Sequence, residues 1–241
     1  MLNLQNYDKK VDKNKKFCYN QIMERERDLF IKYKSDFDRY FDLLVLWNER
    51  FNLTAITEKE EVEIKHFIDS LASVDFIKQN ATVLDIGSGA GFPSIPLKIV
   101  RDDINLTMVD SVNKKVGFLN EVVSQLNLKN AVAIHSRAED LDKTKKFDIV
   151  VSRAVASLST LLEYCLPFVV EGGYLIAYKS EKTDEEIEQS KNALKILGGK
   201  VEEVVDKSHN GLTRKLILIK KIASTPQKYP RGKNLPRVKP L

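Results

Sequence analysis

The spacing of apolar residues in this 241-residue chain changes rhythm near Ala81. Before it, Phe30, Tyr33, Phe37, Tyr40, Leu44, Trp47 and Phe51 recur at steps of three and four. That spacing predicts a helix over 22–51 with one apolar stripe. The stripe is too aromatic for a coiled-coil seam, so it is expected to pack on the rest of the protein. Thr57 with Glu60 reads as a capping box that opens one or two helices over 58–79.

After Ala81, short apolar bursts alternate with helical stretches, the mark of a parallel sheet. Strands are predicted at 82–86, 104–109, 131–135, 147–151 and 174–179, and helices at 93–101, 113–125 and 157–169. Gly172-Gly173 is expected to turn the chain into the fifth strand. Thr183 with Glu186 reads as a second capping box, for a helix ending at Gly198-Gly199. Residues 200–205 and 214–220 look like a closing strand pair with Asn210-Gly211 between them. Seven strands follow, mostly parallel, with flanking helices: an α/β, Rossmann-like sheet.

Composition narrows the class. Two cysteines, Cys18 and Cys165, exclude a disulfide framework and a zinc cluster. No apolar run reaches the roughly 18 residues of a membrane span, so no membrane partner is expected. Residues 1–21 are polar and Lys-rich, without an apolar signal core. They are expected to lack regular structure, in a protein of the reducing cytoplasm. The formal charge of +5 is modest, so its placement matters more than its size. The last 22 residues carry seven basic side chains, no acid and four prolines. An extended tail with outward cations is expected, suited to an electrostatic contact with nucleic acid.

The chemistry centres on Asp85-Ile86-Gly87-Ser88-Gly89-Ala90-Gly91-Phe92-Pro93, where a strand runs into a glycine-rich turn and then a helix. Glycines let the backbone bend and let a ligand approach without a Cβ in the way. A dinucleotide fingerprint needs G-x-G-x-x-G, and Phe92 stands at its last glycine. Asp85 would repel a pyrophosphate but suits the cationic S-adenosylmethionine. The loop resembles the first motif of Rossmann-like methyltransferases. Asp110 ends the second strand, where a carboxylate accepts from ribose hydroxyls. Ala138 and Glu139 follow the third strand, where a backbone N–H and an acid can read adenine.

Ser152-Arg153-Ala154 follows the fourth strand, the usual place for methyl-transfer residues. No Asn/Asp-Pro-Pro-aromatic turn is there for an exocyclic amine, and no cysteine for pyrimidine carbon 5. Arg153 fits a target that needs no deprotonation, such as guanine N7, where catalysis is proximity and orientation.

Six stretches together carry a further resemblance. They are Trp47-Asn48 with Asn52-Leu53-Thr54-Ala55; His66-Phe67-Ile68-Asp69-Ser70-Leu71; the glycine loop; Val109-Asp110-Ser111 with Lys114-Lys115; Ser152-Arg153-Ala154 with Ala156-Ser157-Leu158; and Tyr229-Pro230-Arg231 with Pro240-Leu241. From about Trp47 onward the chain resembles the bacterial 16S rRNA guanine-N7 methyltransferase family (RsmG/GidB, glucose-inhibited division protein B). The resemblance implies S-adenosylmethionine as methyl donor and 16S rRNA of the small ribosomal subunit as partner. The implied target is the guanine at position 527 in standard rRNA numbering. It places Gly87, Gly89 and Phe92 on the donor site and Ala138 and Glu139 at the adenosine end. Arg153 would lie beside donor and base, and Lys179 would face RNA.

It also implies an N-terminal helical cap over 1–79, a methyltransferase core over 80–221 and a basic tail over 222–241; for the oligomeric state, which the sequence leaves open, a monomer is the default expectation. Ser94 stands where the family usually has Gly, Val155 where it has an aromatic, and Tyr178 and Ser180 where it has Leu and Gly. Two other classes stay open: a ribosome-assembly factor that binds the donor without turnover, and a methyltransferase of another RNA or a small molecule.

Overall fold

The structure, a computed structural model, describes residues 24–153, 156–208 and 212–241. The expectations for residues 1–21, for Ala154 and Val155, and for Asn210-Gly211 lie outside the described residues. The aromatic stripe is helical over 24–32, breaks at Tyr33, and continues as α1 (Lys34–Phe51). Phe37, Tyr40 and Leu44 are buried along one face, as the spacing requires. Tyr40 stacks on Phe67 and Phe118, and its hydroxyl donates to Ala90 O in the glycine loop. The expected capping box at Thr57 is absent. Helix α2 (Lys59–Val62) starts later and has no side-chain cap. It passes directly into a π-helical turn, Glu63–Ile68, and then a 3₁₀ segment, Leu71–Phe76.

The sheet comprises β1 (Thr82–Ile86), β2 (Asn105–Asp110), β3 (Ala131–His135), β4 (Phe147–Arg153), β5 (Val169–Lys179), β6 (Gly199–Asp206) and β7 (Lys215–Lys221). Their order is β3-β2-β1-β4-β5-β7-β6. β1 to β5 are parallel, and β7 runs antiparallel to both β5 and β6. Helices α3 (Ser94–Val100), α4 (Asn113–Gln125), α5 (Leu158–Cys165), α6 (Thr183–Gln189) and α7 (Lys191–Leu197) flank it. Central strands buried on both faces explain the near-continuous apolar runs of β1 and β4. Chain order reverses between β1 and β4, so a crevice opens at their C-terminal ends.

Two further expectations are corrected. Gly172-Gly173 is not a turn before β5 but part of the strand. A Cβ on Gly173 would lie 2.5 Å from Asp148 O, so the close approach of β4 requires glycine there. The tail is not extended throughout, although Lys228, Lys233, Arg237 and Lys239 are exposed as expected. Tyr229 is buried in the core beside α5, and α8 (Leu235–Val238) forms one short helix. The prolines do not prevent this, because Pro236 sits in the first turn, where no N–H is needed.

Candidate active site

The glycine loop hangs from the end of β2. Gly87 N and Ser88 N both donate to Val109 O, at 2.8 and 3.1 Å. Gly89 N donates to Asp110 Oδ2 (2.9 Å) and Val112 N to Asp110 Oδ1 (2.9 Å). Each carboxylate oxygen keeps a second lone pair for a ligand. Gly91 adopts φ 93, and a Cβ there would meet Ile95 Cγ1 at 2.6 Å and Tyr40 Oη at 2.7 Å. Beside this loop lies a cavity of about 490 Å3, lined by Gly87, Asp110, Ala138 and Glu139 among others. The structure therefore brings four of the expected donor residues to one wall. Glu139 Oε1 is buried with no hydrogen-bond partner, and its near charge is Arg137 at 3.6 Å. An unmet acceptor facing a nucleoside-sized cavity fits a ligand with donors at that end.

Asp85 is placed differently from a cation-binding wall residue. It is wholly buried and does not line the cavity. Ser94 Oγ donates to its Oδ2 at 2.6 Å, while Oδ1 has no partner. Burial pushes its carboxyl up to about 7, against the hydroxyl bonds and Arg153, which pull it down. Ser94, the departure from the family glycine, is thus a hydrogen-bond donor to the buried acid.

A second cluster forms where β4 meets the π-helical turn. Arg153 Nη1 donates to Asp69 Oδ2 (2.7 Å) and to Lys65 O (3.2 Å). Its guanidinium carbon lies 5.0 Å from the Phe92 ring centre, and His66 stacks on Phe92 at 4.4 Å. His66 Nδ1 lies 3.2 Å from Arg153 Nη2 and Nε2 2.9 Å from Thr54 Oγ1. His66 Nδ1 also lies 3.1 Å from Lys65 O, so it faces a donor and an acceptor at once, and both ring nitrogens are engaged. Burial and the Arg153 charge lower the imidazole to about 4, so His66 is neutral near pH 7. Asp69, with no exposed side-chain surface, also accepts from Arg214 Nε of the β6–β7 connection at 2.6 Å. The hydroxyl of Tyr178, another departure, donates to Ser70 O at 2.6 Å and accepts from Ser73 Oγ at 2.7 Å.

Lys179 ends β5 and is buried rather than free. Its Nζ donates to Glu186 Oε2 (2.6 Å) and Ala156 O (2.7 Å). Glu186 Oε2 also accepts from Leu158 N (2.7 Å) and so caps α5. This replaces the expected box with Thr183, whose hydroxyl donates to Ser180 O at 2.6 Å. Lys179 and Glu186 thereby hold Ala156 and Leu158 at the entry to α5.

Residues not assigned from the sequence are Asp69, Arg214, Glu186 and Tyr164. Asp69 lay in the His66–Leu71 stretch, but no local signal paired it with arginines distant in sequence. Among the described residues, no group of side chains could hold a metal ion, and no helix is long and apolar enough to cross a membrane.

A family model described as rRNA small subunit methyltransferase G (GidB) matches residues 33–217. The chain is 53% identical over 213 residues to ribosomal RNA small subunit methyltransferase G of Lachnoclostridium phytofermentans, covering 85% of this chain and 88% of that one. It is 45% identical over 231 residues to the protein of that name from Lactobacillus acidophilus, covering 92% and 96%. Among solved structures, M. jannaschii TYW2 in complex with AdoMet matches with a TM-score of 0.53 and 20% identity, over 65% of this chain and 76% of that one. A SAM-dependent methyltransferase from Aquifex aeolicus matches with a TM-score of 0.52 and 20% identity, over 67% and 93%. These two likenesses carry the fold.

Proposed function

The chain belongs to the GidB family of small-subunit rRNA methyltransferases, and from that premise we propose that it methylates N7 of a guanine in 16S rRNA, at position 527 in standard numbering. It is a methyltransferase that uses S-adenosylmethionine. The observation that carries the atom-level reading is the Arg153 cluster, which holds no usable base. Both His66 nitrogens are engaged, Nδ1 by Arg153 and Lys65 O and Nε2 by Thr54. Both Asp69 oxygens are occupied by guanidiniums. Transfer to an amine or hydroxyl needs a proton acceptor within hydrogen-bond reach. Guanine N7 needs none, because its lone pair already lies in the ring plane.

The cavity wall fits the donor. Gly87 allows close backbone approach, Asp110 retains acceptor capacity for ribose hydroxyls, and Glu139 Oε1 is an unmet acceptor for the adenosine end. When bound, S-adenosylmethionine supplies a methyl group on an electrophilic sulfonium. The chain supplies alignment. Asp69 anchors Arg153 and offsets its charge, so that a guanidinium beside a cationic donor is tolerated. Phe92 lies under that guanidinium, and His66 stacks on Phe92 while contacting Arg153 through Nδ1. Lys179 acts as a positioning residue through Glu186 and Ala156. Rate enhancement then comes from proximity and orientation.

The test is methyl transfer from labelled S-adenosylmethionine to small subunits from cells lacking the gene, with N7-methylguanine mapped by reduction and strand cleavage. One cleavage in the decoding-region hairpin is expected, and Arg153→Ala should abolish it. Label on another atom would overturn the N7 reading, and donor binding without transfer would support a non-catalytic assembly factor.

A further inference from the structure

We propose that residues 229–238 form a working wall of the donor cavity, and that Asn234 and Arg237 set affinity for the donor's nucleoside end. This rests on the S-adenosylmethionine reading of that cavity. Both residues line it, together with Tyr164, Glu139, Ala138 and Asp110. Arg237 is a hydrogen-bond partner of the Tyr164 hydroxyl. Asp110 and Glu139, as carboxylates, only accept. Asn234 and Arg237 add donors, which adenine ring nitrogens require.

The segment is held in place and does not drift past the opening. Arg231 grips Glu163, which has no exposed side-chain surface. Its backbone N and Nε donate to Oε1, both at 2.8 Å, and Nη2 donates to Oε2 at 2.6 Å. Such a forked pair fixes direction as well as distance. Thr160 Oγ1 donates to Pro236 O at 2.9 Å, which ties α8 to α5. Lys143, from the connection after β3, donates to Gln227 O and Pro230 O, each at 3.3 Å. Lys233 and Asn234 adopt φ 57 and 58 in succession. Two adjacent non-glycine residues in the left-handed region persist only where their surroundings hold them. Arg231 anchors the segment on Glu163, and Arg237 lines the cavity while its surface stays exposed, so these two of the seven tail cations bear on the cavity.

The test is calorimetric binding of S-adenosylhomocysteine and of 5′-methylthioadenosine, without RNA. The wild-type chain should bind both. Arg237→Ala and Asn234→Ala should each weaken both ligands, Arg237→Ala by about tenfold, the scale of a lost charge-assisted hydrogen bond. Lys191→Gln, on the exposed face of α7 and outside the segment, should bind as wild type. In the wild-type chain, S-adenosylhomocysteine should slow amide exchange across 229–238. Unchanged affinity in both alanine variants would overturn the proposal, even if RNA binding fell. Weakening of S-adenosylhomocysteine but not of methylthioadenosine would overturn the nucleoside-end placement. If a variant fails to fold, exchange in the wild type decides, and no slowing overturns the wall. A wild-type chain that binds neither ligand would instead sink the donor reading, before any variant is made.

Discussion

Asp69→Asn tests whether one buried carboxylate holds Arg153 in place. The change keeps the shape but removes the charge shared by Arg153 and Arg214. Asp69 has no exposed side-chain surface, and the two arginine side chains are 9% and 13% exposed. Removing one partner of a buried pair costs about 3–5 kcal/mol, because the remaining charge is left without compensation. Taking about 3 kcal/mol and a urea slope of about 2–3 kcal/mol/M, the unfolding midpoint should fall by roughly 1–1.5 M. The loss should persist in 1 M salt, because the carboxylate is out of reach of counter-ions, unlike a surface pair worth about 0–1 kcal/mol. Adding Arg214→Met should recover part of the loss, since one orphaned charge is gone. A midpoint shift under about 0.3 M, or one that vanishes in salt, would refute the argument, because that is how an exposed pair behaves.

Two further outcomes follow. Asp85 releases its proton near 4 when unfolded and about 7 when folded. Between those values the native state holds a proton that the unfolded chain lacks, so this carboxyl's contribution to stability falls as pH rises across that window. Asp85→Asn should therefore raise the melting temperature more at pH 8 than at pH 5, and an equal gain at both would contradict the burial argument. Gly91→Ala should destabilise far more than Gly89→Ala in thermal melts. Both have positive φ, but only Gly91 would drive its Cβ into Ile95 and Tyr40, whereas a Cβ on Gly89 finds nothing nearer than Gly87 O at 3.9 Å. Equal losses would mean that φ alone governs the loop.

What could be read in the sequence was local. Thr82–Ile86 and Ala131–His135 are apolar bursts whose ends coincide with the strands. Asn113–Gln125 matches the predicted helix because its apolar positions repeat at helical spacing. The glycine loop, Asp110 and Glu139 were legible because spacing within one strand–turn–helix unit positions them. The capping box at Thr183 failed because Glu186 is claimed by Lys179 and Leu158 N. A tertiary partner outbid the local one. The tail departed from expectation at Arg231 for the same reason: it looks like any solvated cation until Glu163, far away in sequence, is brought beneath it. Asp69 could not be assigned because its two arginines lie 84 and 145 residues away.

Asp69 sits in the helical segment that precedes the sheet, while its arginines belong to β4 and to the approach to β7. Tyr178 of β5 adds bonds to Ser70 and Ser73. In terms of inheritance, the connection just before β1 is therefore a poor site for recombination. A cap taken from one relative and a sheet from another would have to bring the acid and both bases together. The two segments are expected to pass through descent as one unit, although the chain's change of rhythm at Ala81 invites a cut between them.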